Sequence, residues 1–273
     1  MNIEILLSTM HQKDASFIEK MNIKSDAIVI NQTDSENYEE FKTKYGVIKI
    51  FTNTARGVAK SRNEALKNSS ADISILADDD MFFIDNYTET VRTVFNEHHD
   101  ADIIIFNLLE NDNTLSRNNE HVSKIGIFNY MNYGAARITF RRNSIKNANI
   151  SFKETFNGEP LPTCGEDTLF LRDALKKGLK IIAVPEVLAE LKNTRDSTWF
   201  KGYTDKYFFD KGIILALAHP FLAFPFALFL VLKHNEYVES GLTKLKIIKE
   251  IFSGILFVKK GNQHKNQQGT RNY

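Results

Sequence analysis

Five short apolar runs punctuate the first part of the chain: Ile3–Ser8, Ala27–Asn31, Val47–Phe51, Ile73–Ala77 and Ile103–Phe106. Each is continuous rather than alternating and is bounded by polar residues. That pattern predicts strands buried on both faces. Between them, Ala15–Met21, Val58–Lys67 and Asp85–His98 carry the spacing of helices. Strand and helix in alternation predict an α/β fold built on a doubly wound, mostly parallel sheet. Ligands of such sheets bind beyond the carboxyl ends of the strands. The residues that follow the runs are small, polar and acidic: Ser8-Thr9, then Asn31-Gln32-Thr33-Asp34, then Asp78-Asp79-Asp80.

Composition narrows the function classes. The 273 residues are 42% hydrophobic and 25% charged, which excludes a disordered chain. A net charge of +1 gives no global sign of a nucleic-acid binder. The single cysteine, Cys164, allows neither an internal disulfide nor a zinc cluster. The first residues, Met1-Asn2-Ile3-Glu4, lack the basic start of an export signal and read better as a first buried strand. No glycine pair has the spacing of a dinucleotide fingerprint or a phosphate loop.

The strongest chemical signal is the aspartate triplet. Adjacent carboxylates repel one another, and a hard divalent cation offsets that repulsion. On extended backbone Asp78 and Asp80 share a face. Mg2+ or Mn2+ takes one or two protein carboxylates and completes its shell with substrate phosphates, which suits a nucleoside diphosphate; a solvated acidic turn is the plain alternative. The helix Val58–Lys67 adds a second signal. At 100° per residue, Arg62 falls inside the apolar arc of Val58, Ala59, Ala65 and Leu66. An arginine on a buried face must find an anion.

Ile75-Leu-Ala-Asp-Asp-Asp80, preceded by Arg56-Gly-Val-Ala-Lys-Ser-Arg-Asn63, resembles the family 2 glycosyltransferases of the GT-A fold. The resemblance runs from Ile3 to about Tyr203. It implies a Rossmann-like nucleotide-sugar domain with an aspartate-x-aspartate motif after the fourth strand. Asp78 and Asp80 would then hold the metal, and Thr9, Asp34, Arg62, Asn63, Asp78 and Asp79 the nucleotide, Asp34 accepting from a uracil imide. In Thr163-Cys-Gly-Glu-Asp-Thr-Leu-Phe-Leu-Arg172, Gly165 opens a helix that stops at Gly178. Glu166 and Asp167 in its first turn and Lys176-Lys177 in its last suit the helix dipole by themselves. The resemblance further implies that Asp167 is the general base on the acceptor hydroxyl, with Glu166 supporting the acceptor.

By the same resemblance Ile138–Arg142 is a strand leaving the site, and Asp112–Glu120 reads as a polar loop. Lys192–Tyr203 resembles a lid, in which Arg195 would stabilise the leaving diphosphate and Trp199 would stack on acceptor sugar. Some relatives complete the metal shell with a lid histidine, and this chain has no His between His121 and His219.

Beyond the core, residues 213–232 carry no charge, although Pro220 and Pro225 interrupt them. Leu242–Val258 follows as an amphipathic helix. Leu245, Ile248, Ile251, Phe252, Ile255 and Leu256 share one face, and Lys246, Lys249, Glu250 and Ser253 the other. Residues 233–273 hold seven Lys and one Arg against three Glu, a net +5, so the remainder carries −4. Apolar and basic together predict attachment to an anionic membrane. Nucleotide sugars and positive segments both favour the cytoplasmic side, so a monotopic or re-entrant mode fits better than a span. Packing on the catalytic domain or in a dimer is the alternative.

The expectation is therefore a GT-A domain over residues 1–205 and a membrane-associated helical tail over 206–273. The activity expected is metal-dependent, inverting transfer from a UDP-linked or other nucleotide sugar to a glycan or lipid-linked glycan, in polysaccharide or capsule synthesis. Mn2+ or Mg2+ is the cofactor and no nucleic acid is involved. A sugar nucleotidyltransferase is the rival, but Ser8-Thr9-Met10-His11 lacks its glycine-rich loop. A non-catalytic membrane adaptor would not need the intact acidic groups.

Overall fold

The structure is a computed structural model. It describes residues 1–110, 115–116, 118–156, 159–160, 165–192, 202–234, 237 and 241–269. Arg195, Trp199 and Cys164 lie outside these residues. The chain divides into two compact units, Met1–Glu154 with Phe170–Asp196, and Thr155–Leu169 with Ser197–Tyr273. The segment 155–169, with Asp167, groups with the C-terminal helices.

The first unit is a mixed α/β domain. Its strands are β1 (Ile3–Met10), β2 (Asp26–Gln32), β3 (Asn37–Lys42), β4 (Val47–Asn53), β5 (Ile73–Asp78), β6 (Met81–Phe83), β7 (Ile103–Leu109), β8 (Leu115–Ser116), β9 (Ser123–Lys124) and β10 (Ile138–Arg141). A last long strand, Ile181–Leu191, is β13, following the hairpin strands β11 (Thr155–Phe156) and β12 (Glu159–Pro160) of the second unit. The helices are α1 (Phe17–Lys20), α2 (Val58–Asn68), α3 (Tyr87–Glu97), α4 (Arg142–Asn147) and most of α5 (Glu166–Lys176).

The sheet order is β3-β4-β2-β1-β5-β10-β7-β13-β6. The five predicted strands are β1, β2, β4, β5 and β7, and the four from β4 to β5 run parallel. Five of the described strands depart from a parallel sheet, the short β6, β8 and β9 by pairing antiparallel with β13, β7 and β13. β10 inserts antiparallel between β5 and β7, and β3 adds an antiparallel edge to β4. Alternate residues feed opposite faces. Ile5, Leu7, Val29 and Ile75 pack with Phe17 and Ile18 of α1 and with Val91 and Phe95 of α3. Leu6, Ile28, Ile30 and Leu76 pack with Ala65 of α2, Ile145 of α4 and Phe170 of α5. Burial on both faces is why these strands are uninterrupted apolar runs.

The second unit contains the β11–β12 hairpin, the first turn of α5, and the helices α6 (Asp205–Ala218), α7 (Ala223–Lys233) and α8 (Lys244–Gly269). The uncharged run 213–232 is not one helix. Pro220 disfavours helical backbone at the residue before it, and His219 leaves the helix at φ −134° and ψ 72°. Pro225 falls in the first turn of α7, where its missing N–H costs nothing. No described helix is long and apolar enough to cross a membrane.

Two glycines set the crossing of α6 and α8. A Cβ on Gly212 would meet the Ile251 carbonyl oxygen at 2.0 Å, and one on Gly254 would meet that of Phe209 at 2.0 Å. The face of α8 that turns inward is consequently Ile247, Ile251, Ile255 and Val258, with Gly254 among them. This corrects the expected face. Leu245 and Leu256 are exposed, and Ile248 and Phe252 are half-buried.

Candidate active site

The parallel register brings the strand ends level. Thr9 pairs with Asn31, Asn31 with Thr52, and Ser8 with Asp78. Polar residues that are far apart in the chain therefore share one carboxyl edge. Thr9 is buried, and its hydroxyl donates to Asp79 Oδ2 at 2.6 Å. Gln12, which the sequence did not single out, reaches the same pair: its Nε2 donates to Thr9 Oγ1 at 2.9 Å. Asn31 holds the backbone of Gln12 from both sides, accepting from its N–H at 3.1 Å and donating to its carbonyl at 2.9 Å.

Helix α2 enters the edge from the other side. Gln32 of β2 clasps its start, donating to the Gly57 carbonyl at 3.0 Å. Arg62 lies on the buried face as its position in the apolar arc requires, and donates from Nη2 to Asp78 Oδ1 at 2.9 Å. The arginine side chain is 4% exposed and the aspartate side chain 40%. The anion that Arg62 meets in the protein is thus an aspartate of the triplet. Ser61 beside it donates to Ser8 Oγ at 2.9 Å, tying α2 to β1.

Asn63 is turned elsewhere. Its amide donates to the Phe152 carbonyl at 2.8 Å and to Glu154 Oε1 at 2.7 Å, and its oxygen accepts from the Phe152 N–H at 2.7 Å. In this structure it clamps a loop. Asp34 stands at the rim, 92% exposed, with its carboxylate 2.5 Å from Arg56 Nη2. Arg56 also donates to the Thr33 carbonyl at 2.6 Å, so it fixes the loop that carries Asp34. Asp80 closes the edge: its carbonyl accepts from the Lys192 N–H at 2.8 Å, and the Lys192 ammonium lies 3.6 Å from the centre of the Phe82 ring. Lys192, at the start of the expected lid, is thus tied to the end of the triplet by its backbone, while its ammonium caps Phe82.

Glu166 and Asp167 occupy the first turn of α5, as the capping pattern predicts. Gly165 before them has φ +108°, and a Cβ there would meet Ile214 at 2.7 Å, so both conformation and space require glycine. Asp167 Oδ1 accepts from the Thr168 N–H at 2.6 Å.

Among the described residues no group of three or more His, Cys, Asp or Glu converges to hold a metal ion. The triplet offers hard carboxylate oxygens at a strand end. That donor set suits a cation whose other ligands come from phosphates, not one caged by protein.

Residues 17–159 match the family described as Glycosyl transferase family 2. Solved structures of Staphylococcus aureus TarS share the fold. TarS residues 1–349 in complex with UDP-GlcNAc align at a TM-score of 0.61 and 14% identity, over 93% of this chain and 72% of that one. The complex of the same fragment with UDP aligns at 0.58 and 14%, over 80% and 65%. The longer TarS structure aligns at 0.55 and 12%, over 94% of this chain and 43% of that one. No curated protein matches the sequence.

Proposed function

Since this chain belongs to glycosyl transferase family 2 and is a glycosyltransferase, we propose that it moves a sugar from a UDP-linked donor to a hydroxyl of a glycan or lipid-linked glycan, with inversion. The observation that carries this reading is the level carboxyl edge. There Asp79 is tied to Thr9, Asp78 to Arg62, and Asp80 through its backbone to Lys192. It is the place where a parallel sheet binds nucleotides.

Each group has a task. Asp78 and Asp80 would hold a Mn2+ or Mg2+ ion, which when bound would supply charge neutralisation to the leaving diphosphate. Thr9 and Gln12 keep Asp79 pointed at the edge. Arg62 offsets carboxylate repulsion within the triplet, and the Lys192 backbone holds the Asp80 carbonyl. Asp34, orientable through Arg56, suits an imide N–H of a base. Asn63 acts on this reading through the Phe152 loop rather than on the nucleotide directly. Asp167, on a helix start, would take the proton from the acceptor hydroxyl as the new glycosidic bond forms and the bond to the diphosphate breaks. Arg195 and Trp199 keep their roles as lid groups in this proposal.

The test is UDP release from a panel of UDP-sugars by the full chain, with and without Mn2+. Asp167→Asn should lower turnover by about a hundredfold or more with UDP affinity retained. Asp80→Asn should remove the response to Mn2+. Undiminished turnover in Asp167→Asn overturns the general-base assignment. Equal rates with and without added ion after chelation overturn the metal dependence.

A further inference from the structure

Helix α7 buries one face and leaves the opposite one apolar. Ala223, Phe226, Ala227, Leu230 and Val231 are buried. At 100° per residue the reverse face consists of Pro225, Leu228, Phe229 and Leu232, all of them exposed. The turn before the helix extends this face with Phe221, at 94% exposure among the most open apolar side chains of the molecule. A contiguous apolar stripe of this kind on a folded unit marks an interaction surface.

The edges of the stripe carry cations. Lys233 ends the helix on one edge, with its ammonium 5.7 Å from the Phe229 ring centre. Phe224 lies on the other edge, half a turn of the wheel away from Lys233, and Lys259 of α8 sits 4.7 Å over its ring. The acidic groups of α6 are engaged, Asp205 with Lys246 at 2.9 Å and Asp210 with Lys206 at 2.6 Å. The stripe is therefore apolar in the middle and positive on both sides.

We infer that α7 lies flat on an anionic lipid bilayer, with Phe221, Leu228, Phe229 and Leu232 in the interface and Lys233 and Lys259 against the headgroups. An apolar face bordered by lysines matches interfacial helices, whose cations reach back to the polar zone. The helix is 11 residues long, or about 16 Å, roughly half of a bilayer core. Its one-sided pattern also sets it in the plane rather than across it. A second copy of the chain fits less well, because symmetric pairing of the stripe sets the lysines of one copy against those of the other along both edges. This inference concerns the second unit alone and does not depend on the transfer reaction.

The experiment is co-sedimentation of the full chain with vesicles of phosphatidylcholine alone or mixed with phosphatidylglycerol. Binding is expected to the mixed vesicles, weakened by salt. Phe221→Ser/Leu228→Ser/Leu232→Ser should lower the partition coefficient at least about tenfold with an unchanged circular dichroism spectrum. Lys233→Gln/Lys259→Gln should reduce binding to the level seen with neutral vesicles. Hydrogen exchange on the wild-type chain needs no variant, and should slow over residues 221–232 when mixed vesicles are added. A chain left in the supernatant by both vesicle types overturns the proposal, as does protection confined to α8. A concentration-dependent dimer that the serine variant abolishes would assign the stripe to a second copy instead.

Discussion

The Arg62–Asp78 pair is unequally buried, and that asymmetry predicts unequal costs for removing its two halves. The guanidinium is 4% exposed and the carboxylate 40%. Asp78→Ala takes a carboxylate partner from a cation held away from water. Removing one partner of a fully buried pair costs about 3–5 kcal/mol. Here the pair is open on the carboxylate side, where water screens it, so about 2–3 kcal/mol is expected. Arg62→Met removes the cation but keeps a stem that packs toward Phe152, whose ring centre is 5.7 Å from the guanidinium. The remaining carboxylate can hydrate, so about 1 kcal/mol or less is expected. The double variant should lie close to Arg62→Met, since the buried cation is gone from both. Urea unfolding followed by circular dichroism reads all three as midpoint shifts at constant slope. If Arg62→Met destabilises as much as Asp78→Ala, the burial argument is wrong and the arginine is held chiefly by its packing.

Three further outcomes follow from other contacts. Gly254→Ala puts a Cβ 2.0 Å from the Phe209 carbonyl oxygen, so α6 and α8 must separate; a loss of about 2–3 kcal/mol should appear in thermal melts, and a neutral result would refute the close crossing. Asn63→Ala deletes three hydrogen bonds to the Phe152–Glu154 loop; about 1–2 kcal/mol of stability should be lost, while a change in UDP affinity alone with no loss of stability would make it a nucleotide contact instead. Burial pushes the Tyr87 phenol up to about 12, although bonds to Ser25 and Lys24 pull the other way. Unfolded tyrosine ionises near 10, so between pH 10 and 12 only the unfolded chain has lost this proton, and stability falls by about 1.4 kcal/mol per pH unit. Tyr87→Phe should flatten that part of the pH–stability curve, measured by urea midpoints.

The sheet was legible where burial is two-sided. Ile3–Ser8 or Ile73–Ala77 can be read without context because both faces of the strand need apolar side chains. β3 was not legible, because Asn37-Tyr-Glu-Glu-Phe-Lys42 is almost wholly exposed and is a strand only through its pairing with β4. Arg62 was legible for the same physical reason as the strands: a charge inside an apolar arc is an anomaly that demands a partner, and Asp78 is that partner. Asn63 shows the limit. Its neighbours in sequence point to the nucleotide edge, but its amide is taken by Phe152, 89 residues on, and no local pattern reveals a contact at that separation. Asn31 and Gln32 are similar, since a polar side chain at a strand end serves equally as ligand or as loop clamp, and here they clasp Gln12 and Gly57.

The C-terminal helices show why counting apolar residues is a poorer guide than knowing which are covered. The wheel of α8 centres its apolar face near Phe252, whereas the covered face lies about 100° away, near Ile251 and Val258. A hydrophobic wheel gives glycine no weight, yet Gly254 and Gly212 decide the rotation, because only their meeting lets the two backbones approach. Once they have met, Leu245, Leu256 and Phe257 are left outside. Likewise, the 20 uncharged residues of 213–232 have the length of a span, but Pro220 divides them into a helix that is covered and one with an open face. The open apolar face of α7 thus follows from Pro220, and the exposure of Leu245, Leu256 and Phe257 from the two glycines, more than either follows from hydrophobicity.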